Sequence, residues 1–204
     1  MTCVVGVIDA GRVYMGADSA GVAGDTMTIR ADKKVFVNGP FIMGFTSSFR
    51  MGQLLRYAFT PPPHDPPDMD PYRYMVTTFV DAVRACFKAG GYVRKDHEQE
   101  SGGNFLVGYR NRLFEINSDF QVGEAVDGYN AVGSGERAAL GALFATQGQD
   151  PVRRVAIALR AAEHVSASVR GPFTIVSLET RILPVSAASL PPAATPEDPS
   201  ASAA

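Results

Sequence analysis

The 204-residue sequence holds only two cysteines, Cys3 and Cys86. Two cannot make the disulfide framework of a small secreted scaffold. Charge of neither sign dominates, since 19 Lys and Arg stand against 21 Asp and Glu for a net charge of -2. That balance gives no electrostatic footprint for nucleic acid or for an anionic membrane surface. No apolar run reaches the roughly 18 residues of a membrane-spanning helix. No basic segment precedes the first apolar stretch, as a secretory leader requires. The turn GSGE at 133–136 lacks the Lys-Ser/Thr pair of a phosphate-binding loop, and no internal repeat is visible. These absences exclude nucleic-acid and membrane partners, and they lead to the expectation of a cytoplasmic protein with no cofactor and no metal.

What is present reads as one domain. Hydrophobic residues make up 46% of the chain and charged ones 20%, ordinary for a globular protein. The expected domain covers 1–186. Residues 187–204 are Ala/Pro/Ser-rich without an apolar period and are expected to be a disordered tail. Residues 2–9 read as a strand, 10–11 as a tight turn and 13–19 as the hairpin partner. A second hairpin is predicted over 33–38 and 41–48 around Gly39-Pro40, and a third over 104–110 and 112–117. A strand is expected at 129–135 and a closing one at 173–179. Helices are predicted at 49–59, 71–88, 136–144 and from Pro151 to about Ser166, with Asp70-Pro71 and Asp150-Pro151 as cap-plus-proline starts. The polar stretch 95–103 reads as a loop. So does 60–71, where His64, Asp65, Asp68 and Asp70 show no metal-ligand spacing and are expected to be solvated. Hairpins and helices grouped in this way do not alternate as a parallel α/β sheet would. They suit an α+β protein, two antiparallel sheets stacked face to face with helices on both outer faces.

Thr2 begins the first strand. A threonine hydroxyl needs an adjacent base to act as a nucleophile. If Met1 is removed, as expected, Thr2 carries its own α-amine, whose reference pKa of about 7.7–8.0 suits a general base. A nearby lysine would lower that pKa, and an aspartate would hold the lysine in place and charged. Asp18 follows Thr2 by 16 positions, and Lys34 follows Asp18 by the same step. Each step leads one strand and return further, so the three are expected to meet at the end of one sheet. Alternation turns Cys3 to the face opposite Thr2 and Val4, as packing.

With its N-terminal Thr2, GADS around Asp18, KKV at Lys34, GFTSS at 44–48 and GSG at 133–135, the sequence resembles the proteasome β subunits and the HslV-type peptidases. These are N-terminal-nucleophile (Ntn) hydrolases. The resemblance runs from Thr2 to about Leu178. It implies a four-layer αββα sandwich and a threonine peptidase acting on peptides or unfolded proteins. Thr2, Asp18, Lys34, Ser134 and Ser166 would be its catalytic residues, and a backbone N–H of Ser47 or Ser48 would hold the oxyanion. It further implies a homo-oligomeric ring, with any ATP-driven unfolding left to a separate ATPase. Two departures stand out. Ser47-Ser48 occupy a turn that usually carries two glycines, and near the last helix Ser166 and Ser168 stand where an aspartate is usual. Two other readings stay open on these residues: a ring-forming subunit without activity, and a stand-alone amidase acting on small amides.

Overall fold

The computed structural model of the chain describes residues 2–178 and 182–183. The expected tail at 187–204 lies outside the described residues. Two five-stranded antiparallel sheets face each other. The first runs β12 (Tyr129–Gly133), β1 (Cys3–Asp9), β2 (Arg12–Ala17), β13 (Thr174–Ser177), β14 (Ile182–Leu183). The second runs β11 (Val122–Glu124), β10 (Arg112–Ile116), β9 (Phe105–Tyr109), β6 (Phe41–Phe45), β5 (Val35–Asn38).

Residue alternation sorts the core into layers, because successive strand side chains point to opposite faces. Val4, Met15, Ile42, Leu106, Leu113 and Val176 fill the space between the sheets. Cys3, Val5, Val7 and Ile175 turn outward under α4 (Glu136–Ala145) and α5 (Pro151–Val165). On the far side Phe41, Met43, Phe45, Phe105, Val107 and Phe114 pack beneath a second helical layer. That layer comprises α1 (Phe49–Gln53) with its π-helical continuation Leu54–Ala58. It also holds α2 (Pro71–Tyr74), a second π turn at Met75–Phe79, and α3 (Val80–Ala89). The result is the αββα sandwich.

Local chemistry sets the helix boundaries. The Asp70 and Asp150 side chains accept from Arg73 N–H and Arg153 N–H, with Pro71 and Pro151 just inside each helix. Ser48 caps α1 by accepting from Arg50 N–H. Gly90 and Gly91 end α3, the latter at φ +66°. Among the described residues no helix is long and apolar enough to cross a membrane.

The structure departs from the sequence reading in four places. Residues 20–29 form a hairpin, β3 (Ala20–Ala23) with β4 (Thr26–Ile29), where no element was expected. The predicted loop at 95–103 contains another hairpin, β7 (Arg94–Asp96) with β8 (Gln99–Ser101). Both hairpins are largely exposed, so neither carries the alternation of a half-buried strand. The short edge strand β11 was also missed. Finally, His64 is fixed rather than solvated. It stacks on Tyr74 with centroids 4.5 Å apart, and its ring nitrogens lie 2.9 Å from Tyr109 Oη and 2.8 Å from Met69 O.

Candidate active site

β1 lies between β12 and β2, so Thr2 enters the first sheet with a neighbouring strand on each side. Its backbone is held closely. Gly133, at φ +104°, lies so near that a Cβ there would come within 2.3 Å of Thr2 O. Only glycine permits both that approach and that φ. Thr2 O accepts from Gly135 N–H at 3.3 Å and from Ser134 Oγ at 3.3 Å. Thr2 N donates to Ser134 Oγ at 3.2 Å. While Met1 is attached that nitrogen is a peptide amide.

Asp18 follows β2 and Lys34 precedes β5, so the two come from different sheets. The expectation that Thr2, Asp18 and Lys34 meet at the end of a single sheet is thereby corrected. The intervening β3–β4 hairpin carries the chain from one sheet to the other, and the residues converge across the gap. Lys34 Nζ lies 2.9 Å from Thr2 Oγ1 and 2.8 Å from Asp18 Oδ1. Asp18 Oδ1 also accepts from Cys3 N–H at 3.1 Å. Its Oδ2 accepts from Ala20 N–H at 2.9 Å and Arg170 N–H at 3.4 Å. The Lys34 and Asp18 side chains are 1% and 0% exposed. Burial lowers the Lys34 ammonium below the ordinary lysine range, while Asp18 works in the opposite direction. The neighbouring Cys3 thiol is pushed up to about 12, by burial first and the Asp18 charge second. It therefore stays protonated at neutral pH.

The turn after β6 brings Ser47 and Ser48 to the same end of the molecule. Ser47 adopts φ +59°, the left-handed region that costs a non-glycine residue about 1–2 kcal/mol. Its Oγ accepts from Asn104 N–H at 3.1 Å, and Thr46 Oγ1 donates to Asn104 O at 2.7 Å. Gly103 makes room for that side chain, since a Cβ there would stand 2.8 Å from Ser47 Cβ. Ser48 N–H is used within the turn, donating to Thr46 O. Among the described residues nothing accepts from Ser47 N–H.

Ser134 and Ser166 converge, and Ser168 joins them more closely than Ser166 does. Ser134 Oγ lies 2.9 Å from Ser168 Oγ and 3.4 Å from Ser166 Oγ, and the last two are 3.1 Å apart. Ser168 is 6% exposed, whereas Ser166 is half-buried. The sequence reading put Ser166 in the catalytic set and left Ser168 out of it, whereas the structure sets Ser168 nearer to Ser134. Two further contributors gave no sequence signal, because they act through backbone atoms. These are Arg170, whose N–H binds Asp18, and Asn104, which anchors the 46–48 turn. The site can supply a hydroxyl beside a buried ammonium, a nitrogen on the same residue bonded to one hydroxyl of a three-serine cluster, and an unengaged amide at the turn.

No family model matches the chain, and no curated protein sequence does either. Solved structures do. BPH of Thiobacillus denitrificans, in complex with epoxomicin, superposes with a TM-score of 0.72 at 21% identity, over 88% of this chain and 99% of that one. Anbu from Hyphomicrobium sp. strain MC1, a Gly-1 mutant, gives 0.63 at 18% identity, over 90% and 85%. Eukaryotic HslV from Trypanosoma brucei gives 0.60 at 16% identity, over 86% and 98%. The chain therefore has the Ntn-hydrolase fold. Within that class its likeness is to the HslV and proteasome β-subunit architecture.

Proposed function

We propose that this protein is a threonine-type peptidase with Thr2 as nucleophile. One observation carries the reading: a buried Lys34–Asp18 ion pair is aimed at the Thr2 hydroxyl, 2.9 Å from Nζ. A buried ion pair contributes little to stability that apolar packing would not. Placed on a hydroxyl, it is what a nucleophile requires.

The mechanism needs the peptide bond before Thr2 to be cleaved, which frees the α-amine. That amine takes the Thr2 Oγ proton through a water as Oγ attacks the scissile carbonyl. Lys34 holds positive potential at Oγ and lowers the amine pKa, and Asp18 keeps Lys34 charged and in place. Ser47 N–H is the donor that receives the oxyanion, because Ser48 N–H is already committed to Thr46 O. As the C–N bond breaks, the amine passes its proton to the leaving nitrogen. Water then hydrolyses the ester on Thr2. Ser134 and Ser166 orient the amine. The likeness to HslV and Anbu subunits supports a homo-oligomeric ring that encloses the sites. Unfolded chains would be supplied by a separate ATPase.

Because the BPH neighbour was solved with epoxomicin, that compound is the probe. Intact mass and peptide mapping should locate its adduct on Thr2 of protein whose N-terminus is Thr2, and Thr2→Ala should show none while folding normally. Mature parent protein that cleaves no peptide and forms no adduct would overturn the reading.

A further inference from the structure

We infer that the hydroxyls of Ser134, Ser166 and Ser168 form a carboxylate-free cradle for the Thr2 amine, that Ser168 positions it, and that it keeps the enzyme active at lower pH than an ordinary α-amine would. The inference rests on the peptidase reading and adds to it how the base is tuned. The three oxygens close a triangle with sides of 2.9, 3.1 and 3.4 Å, and Thr2 N donates into one corner at 3.2 Å. Each hydroxyl can donate one hydrogen bond and accept two. The Ser134 corner can therefore accept from an amine N–H or donate to the amine lone pair while Ser166 and Ser168 satisfy Ser134 in either role, so a neutral amine is served without being protonated. A carboxylate in the same place could only accept, which would favour the ammonium and raise its pKa. Among the described residues no carboxylate bonds any of the three hydroxyls.

The charged groups around the cradle point the same way. From the first sheet comes Asp18, fully engaged by Lys34 and three backbone N–H groups. From the start of β5 comes Lys34, the nearest cation to Thr2. The first turn of α4 brings Glu136, whose carboxyl is raised by burial first and by Glu115 second. Beyond Ser166 an open pocket of about 560 Å³ is lined by Arg160, Glu163, His164 and Arg170. There Glu163 accepts from Gly171 N–H at 2.9 Å. The charge in contact with Thr2 is thus positive, and the Asp18 carboxylate beside it is committed to Lys34 and backbone N–H groups. The amine should titrate below the ordinary range of about 7.7–8.0.

Ser168 is the buried member and stands closest to Ser134, which itself bonds both Thr2 N and Thr2 O. Ser168 therefore fixes the direction of Ser134 and, through it, of the amine. It is a positioning residue that does not touch substrate.

The test is the pH dependence of epoxomicin inactivation and of kcat/KM for a fluorogenic peptide, in mature protein beginning at Thr2. Parent, Ser166→Asp, Ser166→Asn and Ser168→Ala would be compared. The parent acid limb should fall below about 7.7. Ser166→Asp should raise it by about 1 unit or more, while the neutral Ser166→Asn leaves it in place. Ser168→Ala should lower kcat about tenfold, less than the roughly 10²–10⁴-fold of a positioned general base because the base itself stays, with KM unchanged. A parent limb at or above about 7.7, or equal limbs for Ser166→Asp and Ser166→Asn, would overturn the inference while adduct formation still upheld the peptidase reading. An unchanged kcat in Ser168→Ala would remove Ser168 from it. A parent that forms no adduct would overturn both.

Discussion

Asp18→Asn and Lys34→Met remove opposite halves of the same ion pair, and their stability costs should differ. With Asn at position 18 the Lys34 ammonium, 1% exposed, loses its counter-charge and keeps only neutral acceptors, Thr2 Oγ1 and the amide oxygen. Breaking a buried pair in this direction costs about 3–5 kcal/mol, because an uncompensated charge stays inside. Lys34→Met leaves a buried carboxylate instead, but Asp18 keeps the N–H groups of Cys3, Ala20 and Arg170. Its loss should be nearer 1–2 kcal/mol. At about 2–4 °C per kcal/mol for a chain of this size, Tm should drop by about 6–20 °C for Asp18→Asn and about 2–8 °C for Lys34→Met. The pH dependence supplies a second check. Burial lowers Lys34 in the fold, and Asp18 is the main influence opposing that. With Asn at 18 the folded chain releases this proton at still lower pH, while the unfolded chain keeps it to about 10.5. The unfolded state then binds more protons, so the variant gains stability as pH rises between those two values. Its Tm deficit against the parent should narrow from about pH 7 to about pH 10, followed by circular dichroism. Equal losses for the two variants, or a deficit that widens with pH, would refute this account of the pair.

Gly133→Ala should lower stability by more than about 2 kcal/mol and abolish hydrolysis, because a Cβ there would meet Thr2 O at 2.3 Å on a backbone at φ +104°. A variant with parental Tm and activity would show that Thr2 does not depend on this close approach. Truncation after Val185 should leave particle size unchanged in light scattering, since 187–204 carries no apolar stripe to bury. Full-length protein that stays monomeric at micromolar concentration, yet hydrolyses a small amide, would replace the ring reading with a stand-alone amidase.

The layers of the fold were legible because each buried strand carries alternation that only two covered faces explain. Phe41, Met43 and Phe45 point one way while Ile42 points the other. Helix starts were legible because Asp70-Pro71 and Asp150-Pro151 state their own geometry. The exposed hairpins were not, since strands such as Thr26–Ile29 bury neither face and carry no hydrophobic period. At the site, equal spacing brought Thr2, Asp18 and Lys34 together in the reading, but spacing cannot tell which sheet delivers each residue. The choice between Ser47 and Ser48 was likewise invisible. It turns on which amide the 46–48 turn consumes for itself, a matter of backbone direction and not of residue type.

The contacts around Thr2 are already in place in a chain that still carries Met1. Lys34 reaches the hydroxyl, Gly135 N–H bonds the carbonyl for which Gly133 leaves room, and Ser134 meets the nitrogen. On the proposed reading, maturation therefore has none of these contacts to build and only uncovers a base. Folding and chemistry become separate events in time, divided by one irreversible cut. The same geometry makes the front of the chain a lock, so a tag fused ahead of Thr2 would silence the enzyme while leaving its architecture whole.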